Sequence, residues 1–580
     1  MSSPSIPFKT AGLRPELFTE SRAFSFPRAL VVLALSVMVL AGATLRINGL
    51  SSEGLSEDEL NKLNAVSEYR AHGLTSANGE HPFLMKAVVT VSVIIAEQWN
   101  QLGLVRSHSE LNVPVESALR VPSAVFGALT AIVIFLVASE LFGLEVGLIA
   151  AALWTFDPLT IGVNRIAKED TFLVFFFMLG NFFWLRGQRV AESEPNKNPE
   201  RYYWATAAAL GAMMASKLLA LLIAIPISYN YIFQKIPVTR WVIGKKRFIK
   251  FFLIMGVVFV ILSPTILLPG TWKAMATFSS SKAIGHDSYE FLGRLYPHKV
   301  TDWLRGQPWY FYLVLLGTKL PVLTLVSFVA GLPLLFRRKA GDGRYFFLVW
   351  LALWTLAFMF PGGKFLRYVT SFLPVVMILA ALGIQFTGRR LGRAGARLFG
   401  NEAFKIYARA ALASLVIVMS FWSAVTATPH FRLYVNALAG GAARAGQMFP
   451  QDEFYDAYMQ PVMADIARRA QPSALVANET ITLASYYAGR AGRPDLLSVE
   501  LSDPAELARL KPGDFLIDAR GRTYFSNQAM LMRLRAASRP AFTVSIGATP
   551  AADVYVLDQN SLDALRGVRV SEAPRSGTAD

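Results

Sequence analysis

The sequence lacks cysteine and is short of charged residues. None of its 580 residues is Cys, which excludes disulfide frameworks and thiolate metal sites. Charged residues make up only 17% of the chain, whereas apolar residues make up 53%. Soluble domains rarely have such a balance. Lipid is therefore the expected solvent for most of the chain.

Apolar runs long enough to cross a bilayer recur along the first three quarters of the chain. A helix needs roughly 20 apolar residues to cross a hydrocarbon core of about 30 Å. We predict a polytopic α-helical membrane protein with about eleven transmembrane helices. The predicted spans are 28–47, 118–142, 146–163, 170–186, 202–216, 218–233, 248–268, 310–336, 345–360, 367–387 and 406–427.

The formal net charge of +17 follows the membrane topology. Basic residues gather in short loops between apolar runs, which favours a cytoplasmic N-terminus at 1–27 and gives no indication of a nucleic-acid partner. Regions 48–117 and 269–309 then face outward. We expect the protein to be located in a bacterial inner membrane. The basic residues of the predicted inside loops are Arg186, Arg189, Arg201, Lys235, Arg240, Lys245, Lys246, Arg247, Lys250, Arg337, Arg338, Lys339, Arg389, Arg390, Arg393 and Arg397.

Two segments allow a second interpretation. The apolar run 29–45 resembles a cleavable signal, but it is long enough to span, and we favour a retained anchor. The stretch 83–105 either spans or lies in the outer interface as an amphipathic helix. Its charged and polar residues favour the interfacial position, and counting it as a span would invert every later loop.

The composition changes after Thr428, and residues 428–580 are predicted to form an extracytoplasmic α/β domain. Short β-like runs alternate there with short amphipathic helices. The strand candidates are SALVANE, DLLSVEL, DFLIDA, AFTVSIG and ADVYVLD. This region has no glycine-rich phosphate loop, so we assign it no nucleotide.

Ionisable residues concentrate in the outward segments, close to the predicted membrane plane. A charge at a helix end is often only an interfacial anchor, so any argument for a site depends on convergence from separate loops. A carboxylate can take the proton of an acceptor, and cations or a metal ion can stabilise a phosphate leaving group. A divalent cation is possible, although the sequence requires none. His286 and Asp287 could bind one, but loop hydrogen bonding is the alternative because no third ligand is visible.

Several motifs occur in the order found in one known family. SEDELNKLNAVSEY at 56–69 resembles the first-loop acidic motif of protein O-mannosyltransferases and of the related bacterial aminoarabinose transferases, which share the GT-C membrane fold. GEHPFLMK, ALRVPSAVFGALT, NRIAKEDTFLVFF and ASKLLAL are similar to later family segments. The resemblance covers roughly residues 50–445 and implies a GT-C domain at 28–427. The sequence departs from the family at HPF and at Glu169-Asp170, and after Gly441 it lacks a run that many bacterial relatives contain.

The resemblance also implies roles for individual residues. Asp58 is expected to be the catalytic base or the carboxylate that orients the acceptor, with Glu59 beside it and Asp170 as a further acidic residue of the cavity. The expected donor-phosphate or structural cavity residues are Lys86, Arg120, Lys217, Lys364 and Arg367.

The function implied is that of a glycosyltransferase. It would move a sugar from a polyprenyl-phosphate carrier to a protein, lipid or glycan acceptor with inversion. A transporter or flippase of a lipid-linked substrate is the alternative, although no internal repeat supports it. A non-catalytic membrane scaffold is a second alternative.

Overall fold

The computed structural model describes residues 27–193, 196–233, 245–280, 286–341 and 343–567. Predictions for residues 1–26 and for the basic residues Lys235 and Arg240 lie outside these ranges. The helices are α1 Arg28–Ile47, α2 Glu57–His72, α3 Phe83–Gln101, α4 Gly103–Ser107, α5 Val115–Phe142, α6 Leu144–Phe156, α7 Pro158–Asn164, α8 Glu169–Ser193, α9 Glu200–Ser216, α10 Ala224–Phe233, α11 Lys245–Leu262, α12 Pro269–Ser280, α13 Phe311–Lys319, α14 Val322–Gly331, α15 Gly343–Phe358, α16 Leu373–Phe399, α17 Phe404–Ala427, α18 Pro450–Phe454, α19 Met459–Arg469, α20 Ile481–Arg490, α21 Pro504–Leu507, α22 Gln528–Ala537 and α23 Gln559–Arg566. The strands are β1 Ser288–Phe291, β2 Arg294–Pro297, β3 Leu475–Asn478, β4 Leu497–Glu500, β5 Phe515–Ala519, β6 Phe542–Ile546 and β7 Thr549–Val556.

The helical part is that of a multi-span membrane protein. Within the described ranges, four helices are long and apolar enough to cross a bilayer, and the bent pair α6–α7 makes a fifth if it forms one span. The four are Arg28–Ser52, Val115–Phe142, Leu373–Phe399 and Phe404–Ala427. Three shorter apolar helices cover Ala220–Tyr229, Val322–Phe336 and Gly343–Phe358. The class of fold is confirmed, whereas the count of eleven spans stays a prediction.

The predicted span 146–163 is not one straight helix. It divides at Asp157 into α6 and α7, which are bent by 62°. Pro158 opens α7 because it has no N–H to continue the ladder, and the Asp157 carboxylate accepts from the backbone N–H of Thr160 as an N-cap. The Arg46 side chain of α1 donates to the freed carbonyl of Trp154 at 3.1 Å. The buried Arg46 side chain thereby provides a hydrogen-bond donor for a backbone carbonyl at the break, inside the helix bundle.

Two further predicted spans also differ from single helices. Residues 310–336 divide at Pro321 into α13 and α14, followed by a 3₁₀ segment. For the predicted hairpin of 202–216 and 218–233, α9 ends at Ser216 next to Lys217, but α9 packs against α8 and α11, whereas α10 packs against α15. The segment 83–105 forms the 19-residue helix α3, which packs against α2, α5 and α9.

A mixed sheet domain follows α17, and its five strands match the five predicted ones. The strand order is β4-β3-β5-β7-β6, with β4, β3 and β5 parallel and β7 and β6 antiparallel. Alternate residues face opposite ways: Val476 and Phe515 pack toward α19 and α20, whereas Ala477 and Leu516 pack toward α22 and α23. The three layers of the predicted α/β domain are therefore present.

One apolar cluster joins this domain to the helical part. Val462 and Leu483 of the C-terminal domain are buried with Leu60 of α2, Met85 of α3 and Leu119 of α5. A hairpin of β1 and β2, which the sequence did not indicate, forms in the predicted outward segment 269–309. The C-terminal domain is thus packed onto the end of the bundle at which α2 begins.

A close crossing of α14 and α16 provides a test of this packing. A Cβ on Gly383 would lie 2.0 Å from the backbone oxygen of Ser327, so Gly383→Ala is expected to cost about 1–3 kcal/mol through overpacking. The measurement is the midpoint of thermal unfolding in detergent. Gly256→Ala is the matched control, because no heavy atom lies within 4 Å of that Cβ position. Equal stability of the two variants would contradict the crossing.

Candidate active site

A cavity of about 430 Å³ opens where the helical part meets the C-terminal domain. Its lining comes from the start of α2, the loop before α3, the start of α8, the end of α9, the segment before α16 and two C-terminal segments. The charged residues and histidines among the lining residues are Glu57, Asp58, Lys62, Glu80, His81, Lys168, Glu169, Lys217, His286, Arg367, Asp452, Asp456 and Arg522. Separate loops therefore converge on one polar chamber.

Asp58 lies in the first turn of α2, where a capping box fixes the backbone. Ser56 accepts from the N–H of Glu59, and the Glu59 carboxylate accepts from the N–H of Ser56. Asp58 Oδ2 then lies 2.9 Å from Lys168 Nζ and accepts from the Tyr455 hydroxyl at 2.6 Å. Arg367 Nη1 is 3.7 Å from the same oxygen.

These neighbours determine the charge of Asp58. Burial alone would raise the pKa of the carboxyl, but Lys168, Arg367 and the Tyr455 hydroxyl outweigh burial and hold that pKa well below its usual value. The side chain remains 35% exposed, toward the cavity. Asp58 is therefore an ionised carboxylate that presents a fixed negative charge to the chamber.

Glu59 and Arg120, both predicted as site residues, pair with each other behind the chamber and are absent from its lining. Arg120 donates to both Glu59 oxygens at 2.8 and 2.6 Å and to the carbonyls of Leu50, Glu53 and Gly54 at 2.7–2.8 Å. The Ala167 N–H also donates to Glu59 at 2.9 Å. The pair thus connects the loop after α1 to α5 and to the residue before Lys168.

Asp170 and Lys217 form a second pair, and only Lys217 lines the cavity. Lys217 Nζ donates to Asp170 Oδ1 at 2.7 Å and lies 5.1 Å from the Tyr368 ring centroid. Burial would lower the pKa of Lys217, but Asp170 outweighs it, and the pKa is raised. Lys217 is therefore a firmly charged cation on the wall next to Arg367.

Arg367 has the most available donor group of the predicted cations. Its guanidinium stacks on Phe365 at 4.1 Å, and no hydrogen bond from it reaches the described part of the chain. A guanidinium in this state presents a planar fork of N–H donors that matches a phosphate group. It is thus able to bind an anion that enters the cavity.

Lys86 and Lys364 are buried and point at backbone oxygens instead of the cavity. Lys86 Nζ donates to the carbonyls of Ala77, Asn78 and His81 at 2.7–3.1 Å. Lys364 Nζ donates to Gln307 and Pro361 at 2.7 and 2.5 Å. Neither lines the chamber, so each holds a loop that does.

The predicted catalytic and phosphate-binding residues did not include four residues that line the cavity, namely Lys62, Lys168, Glu169 and Tyr455. Lys62 lies 2.5 Å from Glu169, and Lys168 pairs with Asp58. Lys62 was detectable, because it stands four residues after Asp58 and therefore on the same helix face. Tyr455 had no such signal, since its partner Asp58 is 397 positions away in the chain.

The C-terminal domain forms the opposite wall. Arg522 donates to both oxygens of Asp456 at 2.5–2.8 Å and to His286 Nε2 at 3.0 Å. Burial lowers the pKa of His286 to about 4, and the neighbouring Arg522 adds to this, so the ring is neutral at pH 7. Tyr455 and Asp456 both adopt positive φ, of 48° and 62°, which is uncommon for residues other than glycine.

No group of three or more His, Asp or Glu side chains in the described ranges is placed to hold a metal ion. His286 and Asp287 have separate contacts. The His286 ring stacks on Tyr524 at 4.0 Å, while the Asp287 carboxylate accepts from the N–H groups of Phe525 and Ser526. These contacts are loop hydrogen bonding, the alternative considered for this pair.

Comparisons with known proteins agree with the fold. No curated protein matches the chain. The oligosaccharyltransferase AglB from Archaeoglobus fulgidus, solved with an inhibitory peptide and a dolichol-phosphate, gives a TM-score of 0.50 at 12% identity over 83% of this chain and 65% of that chain. ArnT from Cupriavidus metallidurans, bound to undecaprenyl phosphate, gives 0.47 at 15% identity over 92% of this chain and 99% of that chain. The likeness to AglB shows a shared fold.

The sequence comparison adds the family. Residues 107–267, from α4 to the segment after α11, match the family described as dolichyl-phosphate-mannose-protein mannosyltransferase. This match covers part of the region in which the ordered motifs were found, and it confirms the resemblance. Residues 107–267 are therefore similar to the dolichyl-phosphate-mannose-protein mannosyltransferases, within a chain that has the fold of a multi-span membrane protein.

Proposed function

We propose that the cavity transfers a sugar from a polyprenyl-phosphate donor to a hydroxyl or amine of a protein, lipid or glycan acceptor, with inversion. One observation carries the proposal. An ionised carboxylate, Asp58, and an available guanidinium, Arg367, lie 3.7 Å apart in a chamber that Lys217 also lines. The family match, whose description names a dolichyl-phosphate-linked mannose, supports a lipid-phosphate donor.

The donor phosphate binds to the cationic wall in this proposal. Arg367 supplies a bidentate fork, and Lys217 and Lys168 add charge on either side. As the sugar leaves, negative charge grows on the phosphate oxygen, and these fixed cations stabilise it without reorganising. Lys86, Arg120 and Lys364 act indirectly, by holding the loops that carry the chamber.

Of the two roles expected for Asp58, catalytic base or acceptor-orienting carboxylate, we propose the second: Asp58 orients the acceptor and stabilises charge. Departure of the phosphate gives the sugar oxocarbenium character, and a fixed negative charge nearby favours that state. Direct attack by the acceptor inverts the anomeric carbon and needs no covalent intermediate on the enzyme. Glu59 and Asp170 keep Asp58 and Lys217 in place.

The topology that we propose follows the positive-inside bias. Residues 1–27 are cytoplasmic, 28–427 form the GT-C domain with about eleven spans, and 428–580 form the extracytoplasmic domain. The cavity then faces away from the cytoplasm, in the inner membrane of a bacterium. A lipid carrier fits this side, because nucleotide sugars are made in the cytoplasm.

Replacing Arg367 tests the phosphate site. Arg367→Gln is expected to weaken binding of undecaprenyl phosphate to the purified protein by about tenfold or more, because charged hydrogen bonds are lost. The measurement is the Kd in detergent micelles or nanodiscs. Arg390→Gln is the matched control, since Arg390 also lies over a phenylalanine ring, that of Phe386, but outside the cavity. An unchanged Kd for Arg367→Gln would contradict the assignment.

Replacing Asp58 separates the enzyme from a flippase. Asp58→Asn keeps the shape of the side chain and removes its charge, so we expect release of polyprenyl phosphate from dolichyl-phosphate mannose to fall by about a hundredfold or more. The assay uses membranes that contain the overproduced protein. Asp563→Asn in α23 is the control. Transbilayer movement of a lipid-linked sugar that needs Asp58, with no group transfer, would favour the flippase.

A further inference from the structure

Glu57 is the one acidic residue of the first turn of α2 whose carboxylate lacks a close partner. It lines the cavity and is 44% exposed. No hydrogen bond from the described part of the chain reaches its carboxylate, and the nearest cation is Arg522 Nη2 at 3.8 Å. Only its backbone N–H is engaged, with Asp456 Oδ2 at 3.3 Å. The carboxylate is thus available to a molecule in the cavity.

Asp58, the next residue, is in the opposite state. One of its oxygens already meets the Lys168 ammonium, the Tyr455 hydroxyl and the Arg367 guanidinium. A proton placed there would weaken two ion pairs. The two neighbouring carboxylates therefore suit different tasks, and pairs whose environments differ in this way divide acid–base work between them.

The wall that faces Glu57 belongs to the C-terminal domain. Arg522 is held by Asp456, and Gln451 and His286 lie along the same side of the chamber. The cations of the donor wall, Lys168, Lys217 and Arg367, come instead from the helical part. The cavity therefore has a phosphate side and a separate side of mixed hydrogen-bonding groups.

We propose that the acceptor binds between Glu57 and the Arg522–Asp456 pair of the C-terminal domain, and that Glu57 takes the proton of its attacking hydroxyl or amine. The proposal rests on the proposed function and assigns the proton transfer to a residue other than Asp58. It also gives the C-terminal domain a part in the reaction, as the surface that selects a polar, hydroxyl- or amine-bearing acceptor.

The step balances without a further reactant. The acceptor oxygen or nitrogen forms a bond to the anomeric carbon as its proton moves to a Glu57 oxygen. The bond between that carbon and the phosphate oxygen breaks, and the phosphate oxygen keeps the electron pair. The products are the glycosylated acceptor and polyprenyl phosphate, and Glu57 later releases its proton to water.

The surroundings of Glu57 raise its pKa above the ordinary value for a glutamate. Burial raises the pKa of Glu57, Arg522 opposes this, and the negative charges of Asp456 and Asp58 raise it further. Because only the ionised form can accept a proton, activity is expected to fall as the pH drops through this raised pKa. The helix N-terminus on which Glu57 stands favours the ionised form and moderates the shift.

A first experiment tests the protonation of Glu57 without any turnover. Dicyclohexylcarbodiimide modifies protonated carboxyl groups, and mass spectrometry of peptides locates the adducts. In the full-length protein in detergent, we expect Glu57 to be modified up to a higher pH than Asp58, because burial raises the pKa of Glu57 whereas Lys168 and Arg367 lower the pKa of Asp58. Asp58 is expected to be modified least. Loss of the Glu57 adduct at the same pH as the Asp58 adduct would overturn the assignment.

A second experiment tests the role in catalysis, with dolichyl-phosphate mannose as the donor and membranes that contain the overproduced protein. Glu57→Gln is expected to lower the rate by about 10²–10⁴-fold and to abolish the decrease in rate at low pH. Glu57→Asp is expected to restore part of the rate and part of the pH dependence. Glu68→Gln is the control. A Glu57→Gln variant with the wild-type rate and pH profile would overturn the proposal. If Asp58→Asn also left the rate unchanged, the proposed function itself would fail.

Discussion

The buried pair of Glu59 and Arg120 is the contact on which the chamber depends. Arg120 stands inside the membrane helix α5, and its donors meet Glu59 and three carbonyls of the loop after α1. Removal of one partner of such a pair typically costs about 3–5 kcal/mol, because the other charge remains buried. The Glu59–Arg120 pair thus fixes the positions of three segments relative to one another: the loop after α1, the start of α2 and the backbone at Ala167. Asp58 and Lys168, which are adjacent to these anchored residues, meet as a result.

A cavity that contains so many charges is costly unless the charges compensate one another. Lys62 pairs with Glu169, Lys217 with Asp170 and Arg522 with Asp456. The first two pairs lie within the helical part and the third within the C-terminal domain, and the two parts meet where the Tyr455 hydroxyl donates to Asp58. The complete chamber therefore requires both parts to be folded. The positive φ of Tyr455 and Asp456 fits this view, because strained backbone persists where surrounding contacts determine it.

The sequence predicts most of the elements and part of the chamber. Apolar runs and β-like runs depend on local composition, and α1, α17 and the five strands of the C-terminal domain lie where those runs predict them. The break at Asp157 depends on a contact with Arg46, which local composition does not contain, although an Asp-Pro pair is a known helix start. The family resemblance brought out Asp58 and Lys217 from its motifs, and Arg367 from a later loop. It also selected Glu59, Arg120, Lys86 and Lys364, whose contacts lie behind the chamber, because a motif does not distinguish a residue that faces the cavity from one that supports it.

Two charged groups with only distant ion-pair partners lie on different sides of the chamber. Most of its charges are balanced, but the Arg367 guanidinium and the Glu57 carboxylate make no hydrogen bond to the described part of the chain. Arg367 belongs to the wall from the helical part, whereas Glu57 faces the C-terminal domain. An anionic leaving group is attracted to the first and a proton-bearing nucleophile to the second. Asp58 lies next to Glu57 in the chain and contacts Arg367. In the proposed reaction, positive charge on the transferred sugar would develop near Asp58. The contacts of these three groups fit the places proposed for the donor phosphate, the sugar and the acceptor.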